Sequence, residues 1–571
     1  MKEQLGEKTN QNVIDLSQLK PSQGFAIEGI KLNKGLIFGS VSGAGDVNND
    51  GFDDFMISDP GARLEGRSEV GKVYVVFGRE NIGSSGTIDL NKLDGSNGFA
   101  IEGTEELDNL GHSISEAGDV NGDGIDDIII GAPGVKVGEN QFAGKAYVIF
   151  GNPQIGNSGE LKIAELDGSK GFQIENSEEY SSTGFSVSDA GDFNNDGFDD
   201  IMIGTSVPKS NDIVKDYIVF GNREIGSSGN FKLFSINGEN GIAIVGDRER
   251  FSMHYVSGAG DINDDNIDDV IIGSPSAGND TLVSGMDGFL GGEPGSGRGY
   301  VIFGSKQFHD SPELDLSSLD GSNGFEIAID LPGSFLGRSI SSAGDFNHDG
   351  VDDIVIGGTL AGSHIIYGKK NIGKSGKLNV ETLNGENGFS VSGVKIDNFL
   401  GSSVSDAGDF NNDGIDDLAL VAPATKTSSI NDVDGGEGYI IFGQTNTNNF
   451  NKLELPKLNS KDILTLKDFG SYRYGYQQGR FRDPNSNNTI ANVGDVNGDN
   501  FKDIIIGMPG ASVSADSYII FGSSQYGKNS SQSNGLADDL SLKSSSSIHL
   551  AFAFTTGIIL FLLILFKWQL T

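Results

Sequence analysis

The chain has 571 residues, and its 80 acidic against 40 basic side chains give a formal net charge of −40. This charge disfavours nucleic acid as a partner, because binding phosphates relies on Lys and Arg. The absence of cysteine excludes disulfides and thiol catalysis. The 85 glycines, with little amphipathic helical periodicity, predict an all-β protein of many short strands.

The first segment, residues 1–12, is predicted to be an N-terminal tail. It carries Lys2, Glu3, Glu7 and Lys8 and has no apolar stretch of the kind found in signal peptides. Three interpretations stay open: the natural start lies upstream, export uses another route, or the protein is tail-anchored with its main domain inside the cell.

Residues 13–30 contain two elements that every later unit of the chain repeats in some form. These are Ile14-Asp15-Leu16 and the stretch from Gly24 to Gly29. Both are missing after the last strand pattern, Tyr518 to Gly522. We therefore predict that residues 13–30 form the closing strand of the last unit, which completes a ring and covers a sheet edge.

Seven loops dominate the sequence, each of the form Asp-x-Asn-x-Asp-(Gly/Asn)-x-x-Asp and each followed by a run rich in Ile and Val. They are residues 46–54, 119–127, 192–200, 261–269, 345–353, 409–417 and 495–503. Their spacing of 64 to 86 residues exceeds that of helical solenoid repeats and leaves room for four strands per unit. Seven four-stranded sheets around one axis would form a seven-bladed β-propeller.

Each loop presents oxygen donors at alternate positions. In the second copy Asp119, Asn121 and Asp123 stand at positions 1, 3 and 5, Ile125 offers its backbone carbonyl at position 7, and Asp127 closes the loop at position 9. Six to eight oxygens in irregular geometry suit Ca²⁺, whereas Mg²⁺ demands a tighter octahedron. The sequence therefore predicts up to seven Ca²⁺ ions, which brace the blades.

The predicted ligands follow the same five positions in every copy. They are Asp46, Asn48, Asp50, Phe52, Asp54, Asp119, Asn121, Asp123, Ile125, Asp127, Asp192, Asn194, Asp196, Phe198, Asp200, Asp261, Asn263, Asp265, Ile267, Asp269, Asp345, Asn347, Asp349, Val351, Asp353, Asp409, Asn411, Asp413, Ile415, Asp417, Asp495, Asn497, Asp499, Phe501 and Asp503.

Two further loop positions have expected roles. Position 6 must turn sharply, and Gly or Asn occupies it in all seven copies, so we expect a positive φ there. Position 8, Asp126 in the second copy, should point away from the ion, because its counterpart in the last copy is Lys502. Position 12 is apolar and no helix pattern flanks the loops, so they differ from EF-hands.

The repeat unit resembles the FG-GAP repeat of the integrin α-chain N-terminal β-propeller, over residues 13–522. The similarity rests on the Leu-Gly entry, as at Leu110-Gly111, on the Asp-rich loop, and on the Gly-Ala-Pro element at Gly131 to Pro133. The resemblance implies a calcium-binding adhesion propeller. The same propeller occurs in bacterial surface proteins and in a phospholipase D family, and calcium loops in every blade most resemble bacterial integrin α-like proteins.

Departures from animal integrin α chains bear on the expected partners. The sequence has no insertion long enough for an adhesive I domain, no thigh or calf modules follow, and residues 567–571 lack the Gly-Phe-Phe-Lys-Arg motif. We therefore expect no clear β-chain partner. A protein or glycan ligand at the cell surface is the expected partner instead.

Three other features are candidates for binding. The Gly-rich loop 281–299 is interpreted as a spacer, and the basic aromatic cluster 472–482 as a degenerate strand or a partner site. His112 and His254 occupy the same position in two units, so they either pack in the inner strands or form a paired site near the central channel.

The C-terminus predicts a membrane anchor. Residues 523–547 are a Ser-rich linker, residues 548–566 are almost unbroken apolar and long enough for a transmembrane helix, and residues 567–571 form a short tail. Lys567 and Trp568 suggest that this tail is cytoplasmic and the propeller extracellular. A C-terminal sorting segment that is removed at the surface stays open as an alternative. Extracellular calcium modules bind at about 0.1 to 1 mM, which also favours the outside of a cell.

The sequence thus predicts a calcium-binding, integrin α-like, glycoprotein-like surface protein of the cell membrane with a role in adhesion or ligand binding. The sequence contains neither a serine nucleophile elbow nor a phosphate-binding loop, so we expect no enzyme activity. The alternative is a glycan-binding or polysaccharide-processing exoprotein, because the many carboxylates leave an acid pair open.

Overall fold

A computed structural model describes most of the chain up to residue 528. The described residues are 12–30, 39–207, 214–246, 252–277, 295–308, 312–359, 362–393, 400–422, 426–429, 432–434, 436–445, 452–467, 490–507 and 517–528. Residues Met1–Gly527 belong to one compact unit and Lys528–Thr571 to another. The predicted transmembrane segment 548–566, most of the loop 281–299 and the cluster 472–482 lie outside the described residues.

Seven five-stranded sheets form the blades of an all-β propeller. From the inner to the outer edge, blade 1 consists of Val41–Gly45, Asp54–Asp59, Lys72–Val76, Gly98–Glu102 and Glu160–Lys162. Blade 2 consists of Ile114–Gly118, Asp127–Ala132, Lys145–Ile149, Gly171–Glu175 and Asn230–Lys232. Blade 3 consists of Ser186–Gly191, Asp200–Gly204, Lys215–Val219, Gly241–Val245 and Glu313–Asp315.

The remaining blades follow the same order. Blade 4 consists of Tyr255–Gly260, Asp269–Ser274, Arg298–Ile302, Gly324–Ala328 and Lys377–Asn379. Blade 5 consists of Ser339–Gly344, Asp353–Gly358, Gly362–Ile366, Gly388–Ser392 and Lys452–Glu454. Blade 6 consists of Ser403–Gly408, Asp417–Ala422, Glu437–Ile441, Ile463–Lys467 and Asn12–Asp15. Blade 7 consists of Ile490–Gly494, Asp503–Gly507, Ser517–Ile520, Gly24–Glu28 and Thr87–Asp89.

The fifth strand corrects the prediction of four strands per blade. In each unit the Ile-Asp-Leu element leaves its own blade and pairs in parallel with the fourth strand of the preceding blade, as Glu160–Lys162 does with Gly98–Glu102. A single 3-10 turn follows each crossing strand, at Leu16–Gln18, Leu90–Lys92, Ile163–Glu165, Leu233–Ser235, Leu316–Ser318, Val380–Thr382 and Leu455–Lys457. Every blade is thereby joined to its neighbour through backbone hydrogen bonds.

The N-terminal segment closes the ring in two places. Gly24–Glu28 pairs antiparallel with Ser517–Ile520 and so supplies the fourth strand of blade 7, where the sequence places it. Asn12–Asp15 instead pairs in parallel with Ile463–Lys467 of blade 6. The prediction assigned all of residues 13–30 to the last blade, and it missed the crossing because such pairing joins residues far apart in sequence.

Apolar packing is concentrated between adjacent blades. The described structure has seven buried clusters, and each combines side chains from two neighbouring blades, the last of them blades 7 and 1. The second strands are buried along most or all of their length, as Asp127–Ala132 is, because a blade covers them on both faces. Inner strands of neighbouring blades contact one another in a closed ring.

Two short two-stranded antiparallel sheets complete the described strands, Ser206–Val207 with Ser252–Met253 and Lys426–Ser429 with Asp432–Asp434. Residues 523–527, which the sequence assigns to the linker, contact blade 6. The Tyr526 ring stacks on Phe410 at 5.5 Å between centroids. No helix in the part of the chain that the structure describes is long and apolar enough to cross a membrane.

Candidate metal centre

All 35 predicted ligand residues lie in the described structure, at one end of the seven inner strands. Each loop joins the inner strand of a blade to its second strand, and a β-bulge precedes it, as between Glu116 and Gly118. Position 6 has a positive φ in every copy, as predicted, from 64° at Asn266 to 94° at Gly197. Position 4 also has a positive φ in every copy, which the sequence analysis missed.

The carboxylate at position 1 organises each loop. In blade 1 the Oδ1 atom of Asp46 accepts the backbone N–H of Asp50 at 2.9 Å, and its Oδ2 atom accepts that of Gly51 at 2.8 Å. The carboxylate of Asp50 accepts the N–H of Phe52 at 3.1 Å. The same three bonds recur in all seven loops.

The carboxylate at position 9 is fully buried in all seven loops. Asp54 accepts the backbone N–H of Gly78 at 2.8 Å, and Asn48 at position 3 donates its side-chain N–H to Asp54 at 3.2 Å. Gly78 lies two residues after the third strand of the blade, Lys72–Val76, so this bond connects the loop with the segment that follows that strand. The sequence analysis did not find this contact.

Burial raises the pKa of the position 9 carboxylates. The pKa of Asp54 rises to about 9, opposed by the Gly78 hydrogen bond and increased further by the Asp50 and Asp46 charges. Burial likewise raises the pKa of Asp127 and of Asp269 to about 8. Each loop therefore concentrates negative charge around a buried carboxyl group, an arrangement that a bound cation would relieve.

The donor set fits a hard cation. The carboxylates at positions 1, 5 and 9, the amide at position 3 and the carbonyl at position 7 supply only oxygen ligands, as Ca²⁺ prefers. Each carboxylate oxygen that accepts one amide N–H keeps another acceptor site. Among the described residues, however, no group of three or more His, Cys, Asp or Glu side chains converges as a metal cluster would. Metal binding at these residues therefore stays a prediction.

Position 8 has a role that the sequence analysis did not find. Asp126 of blade 2 accepts the backbone N–H of Asp46 in blade 1 at 2.8 Å, so it joins the Asp-rich loops of two blades. The same bond joins five other neighbouring pairs of loops, through Asp199, Asp268, Asp352, Asp416 and, across the ring closure, Asp53. We call these six contacts the loop ties. Position 8 of blade 7 is Lys502, which cannot accept such a bond.

A glycine with a positive φ precedes position 1 in every loop, and the loop tie adds a second restriction at Gly45. Gly45 has a φ of 64°, and a Cβ atom there would lie 2.3 Å from the Oδ2 atom of Asp126. Both the left-handed backbone and the close carboxylate therefore exclude a side chain at this position. The Ala-Gly-Asp sequence at the start of six of the seven loops could have indicated a close approach of the backbone to another group.

The two histidines do not form a shared site. Nδ1 of His112 lies 2.9 Å from the carbonyl oxygen of Phe185, and Nδ1 of His254 lies 2.5 Å from Oδ2 of Asp216. Both rings are buried, and burial lowers the pKa of His112 to about 4. Each histidine thus has its own partner, in agreement with the packing and hydrogen-bonding interpretation.

Comparison with known proteins supports the repeat assignment. The FG-GAP repeat family model matches residues 38–76 and 113–149, which cover the first three strands of blades 1 and 2. Phosphatidylinositol-glycan-specific phospholipase D from Rattus norvegicus is 34% identical over 20% of the chain and 13% of its own length. Integrin alpha pat-2 from Caenorhabditis elegans is 31% identical over 46% of the chain and 19% of its own length.

A third relative, integrin alpha-5 from Xenopus laevis, is 33% identical over 20% of the chain and 10% of its own length. The chain therefore spans only 10 to 19% of the length of these three curated relatives. Each matched range contains one Asp-rich loop, residues 46–54 in the first and residues 119–127 in the second. The chain is a seven-bladed β-propeller in which blades 1 and 2 match the FG-GAP repeat, and parts of it are similar to integrin α chains and to phosphatidylinositol-glycan-specific phospholipase D.

Proposed function

We propose that the protein is a calcium-binding, integrin α-like adhesion or ligand-binding protein of the cell surface. The observation that carries this proposal is the sevenfold recurrence of a loop with oxygen donors around a buried carboxylate. Seven divalent ions would change the formal charge of −40 to −26 and relieve repulsion within every blade. The ions brace the propeller, and the ligand binds elsewhere on its surface.

Calcium dependence is tested by removing the metal. Binding to the native state stabilises it by RT ln(1 + [L]/Kd), about 2.7 kcal/mol per site at a hundredfold excess over Kd. We expect a markedly lower melting temperature in EGTA than in millimolar Ca²⁺, and up to seven ions per chain by elemental analysis. An unchanged melting temperature in protein verified to be metal-free would refute the calcium proposal.

The adhesion role is proposed from the likeness to integrin α chains and is tested separately. Beads coated with the propeller, in calcium, are offered to cells and to surfaces bearing protein or glycan ligands. Adhesion that disappears in EGTA and returns with Ca²⁺ supports the role. Beads that adhere no better than albumin-coated beads, while the protein is folded, count against it.

We further propose that residues 548–566 anchor the protein in a membrane and that the propeller faces outward. The support is the apolar length of the segment and the calcium level that such loops need. Protease added to intact cells should remove the propeller, and alkaline carbonate should leave the chain in the membrane fraction. Protection of the propeller in intact cells would reverse the proposed topology.

Binding without turnover is the proposed mode of action, although some relatives are named as phospholipases. The chain matches only 13% of the rat phospholipase. The second candidate is a glycan-binding or polysaccharide-processing exoprotein. A cleft of about 590 Å³ between blades 1 and 2, lined by Phe142 and Tyr147 among others, favours glycan binding. Hydrolysis of a polysaccharide or of a phosphatidylinositol glycan by the purified chain would show that the protein is an enzyme.

A further inference from the structure

One backbone position lies between two Asp-rich loops in every blade. The glycine after the third strand donates its N–H to the position 9 carboxylate of its own blade, as Gly78 does to Asp54. The next residue donates its N–H to the position 2 carbonyl of the preceding blade, as Arg79 does to Val496 at 2.9 Å. We call this next residue the bridging residue. From blade 1 to blade 7 it is Arg79, Asn152, Asn222, Ser305, Lys369, Gln444 and Ser523.

The side chain of the bridging residue is held in the same way in blades 1, 2 and 3. Asn152 and Asn222 each donate a side-chain N–H to the carbonyl oxygen two residues earlier, at 3.3 Å in both blades. Nη1 of Arg79 donates to the corresponding carbonyl oxygen, that of Phe77, at 2.9 Å. Of these three side chains only Arg79 is charged, because a guanidinium stays protonated in proteins.

This guanidinium lies close enough to the loop of blade 1 for their charges to interact. Burial lowers the pKa of Arg79, and the charge of Asp50 at position 5 opposes that shift. Burial raises the pKa of Asp50, and the Arg79 charge is among the groups that oppose it. A second cation is close to the same loop, since Nζ of Lys502 lies 3.7 Å from Oδ2 of Asp53. Two basic side chains therefore offset part of the negative charge of this loop.

The loop of blade 3 is a matched reference for the loop of blade 1. Residues 46–54 read DVNNDGFDD and residues 192–200 read DFNNDGFDD, so the two loops have the same predicted ligands and differ only at position 2. Each also receives a loop tie, from Asp126 at 2.8 Å and from Asp268 at 2.9 Å. The bridging residue is Arg79 in blade 1 and the neutral Asn222 in blade 3. A difference in cation affinity between the loops is therefore expected from the neighbouring charges.

We propose that Arg79 determines the calcium affinity of blade 1, so that this loop binds Ca²⁺ more weakly than the loop of blade 3. A divalent ion between Asp46, Asp50 and Asp54 is repelled by the guanidinium, and a partly buried pair of charges is screened less than an exposed one. As the calcium concentration falls, the loop of blade 1 empties before that of blade 3. The inference rests on the proposed calcium binding and adds which loop responds first to calcium.

The test measures bound calcium on the full chain by equilibrium dialysis over a series of buffered calcium concentrations. The variant is Arg79→Asn, because asparagine is the bridging residue of blades 2 and 3 and can keep the hydrogen bond to Phe77. The matched control is Lys369→Asn, which removes one positive charge at the bridging position of blade 5, where the lysine is exposed. Asp50→Ala, alone and combined with Arg79→Asn, locates the effect.

We expect Arg79→Asn to bind one of its ions roughly tenfold more tightly than the wild type. Lys369→Asn should change calcium affinity less than about twofold, because its charge is exposed and screened. Asp50→Ala should abolish the gain, because it removes the predicted position 5 ligand of the same loop. Melting temperatures in saturating calcium show whether each variant is folded, and Arg79→Gln replaces Arg79→Asn if asparagine prevents folding.

Three results would overturn the inference while calcium binding itself is observed. They are equal calcium isotherms for Arg79→Asn and the wild type, an equal gain in Lys369→Asn, and a gain that persists beside Asp50→Ala, which would place the effect at another loop. A wild-type protein that binds no calcium refutes the proposed calcium function, and the inference with it.

Discussion

The interface between blades 6 and 7 differs from the other six interfaces between neighbouring blades, which we call seams. Each of the six has a loop tie, in which a position 8 carboxylate accepts an N–H from the neighbouring loop at 2.6 to 2.9 Å. At the seventh seam Lys502 occupies position 8, and Asn492 of blade 7 donates its side-chain N–H to Asp406 of blade 6 at 3.1 Å. Nζ of Lys502 lies 3.7 Å from Asp53, the tie residue of the next seam.

The difference shows that two kinds of interaction hold the ring together. Apolar clusters and crossing strands occur at every seam, and they set the fold. The seam between blades 6 and 7 has no loop tie and yet the two blades pack together, so the tie is an additional contact and is not required for the ring to close. We therefore expect the ties to tune the stability of the ring, and the strands that close it to decide whether it forms.

Deleting residues 1–30 should have the largest effect. The deletion removes the fourth strand of blade 7 and the outer strand of blade 6, with the fully buried Phe25 and Ile27. Truncating each such core side chain alone costs about 2 to 5 kcal/mol, so we expect loss of the folded monomer.

The control for this deletion is removal of residues 1–11 only, which precede the first described strand. Circular dichroism and light scattering in calcium report folding and association. A monomeric protein with an unchanged melting temperature after loss of residues 1–30 would contradict the closure of the ring by this segment.

A comparison of Gly45→Ala with Gly408→Ala separates the stability that comes from the loop tie from the strain of the backbone. Both glycines have a positive φ, 64° and 56°, so alanine costs about 1 to 2 kcal/mol at each. At Gly45 the new Cβ also meets the Asp126 carboxylate at 2.3 Å, whereas at Gly408 it meets the flexible Lys502 chain at 2.8 Å. We expect Gly45→Ala to lower the free energy of unfolding by a further 1 to 3 kcal/mol, roughly, because it displaces the tie.

Chemical denaturation of both glycine variants in calcium measures this difference. Equal losses in the free energy of unfolding would mean that the tie adds nothing to the strain of the backbone. A larger loss in Gly408→Ala would reverse the comparison between the two seams.

Asp126→Ala tests one tie directly. It leaves the N–H of Asp46 without its acceptor, and we expect a loss of about 1 to 3 kcal/mol in the free energy of unfolding. Asp126→Asn keeps an acceptor oxygen and should lose less.

Calcium stoichiometry distinguishes the tie from the ligand position. We expect both Asp126 variants to keep the wild-type number of ions and Asp123→Ala to lose one, because position 5 is a predicted ligand. Loss of one ion in Asp126→Ala as well would place that carboxylate at the metal.

Much of the fold and of the candidate site was predictable from local sequence. The loops were found from the spacing of Asp and Asn, and the positive φ at position 6 from residues such as Gly51, because both signals lie within nine residues. The crossing strands and loop ties were not predictable in this way. Asp126 contacts a residue 80 positions away, and a single sequence contains no local signal for that distance. The cleft depends on two blades and escaped prediction for the same reason.

Lys502→Asp should have the smallest effect and the opposite sign. A carboxylate at position 8 of blade 7 would be able to accept the N–H of Asp409, as its counterparts do at the other seams. Such a bond contributes about 1 to 2 kcal/mol, whereas the exposed Lys502 to Asp53 pair contributes about 0 to 1. Repulsion from Asp406 reduces the gain, so Lys502→Asn, a neutral acceptor, is measured beside it.

The reference for both substitutions is Lys502→Ala, which removes the lysine without adding an acceptor. Because all three variants lose the lysine, a difference from Lys502→Ala reports the new acceptor alone. We expect Lys502→Asp and Lys502→Asn to melt a few degrees above Lys502→Ala in saturating calcium. If neither variant melts above Lys502→Ala, the geometry between blades 6 and 7 does not allow a loop tie, and the packing of these two loops differs from that at the other six seams.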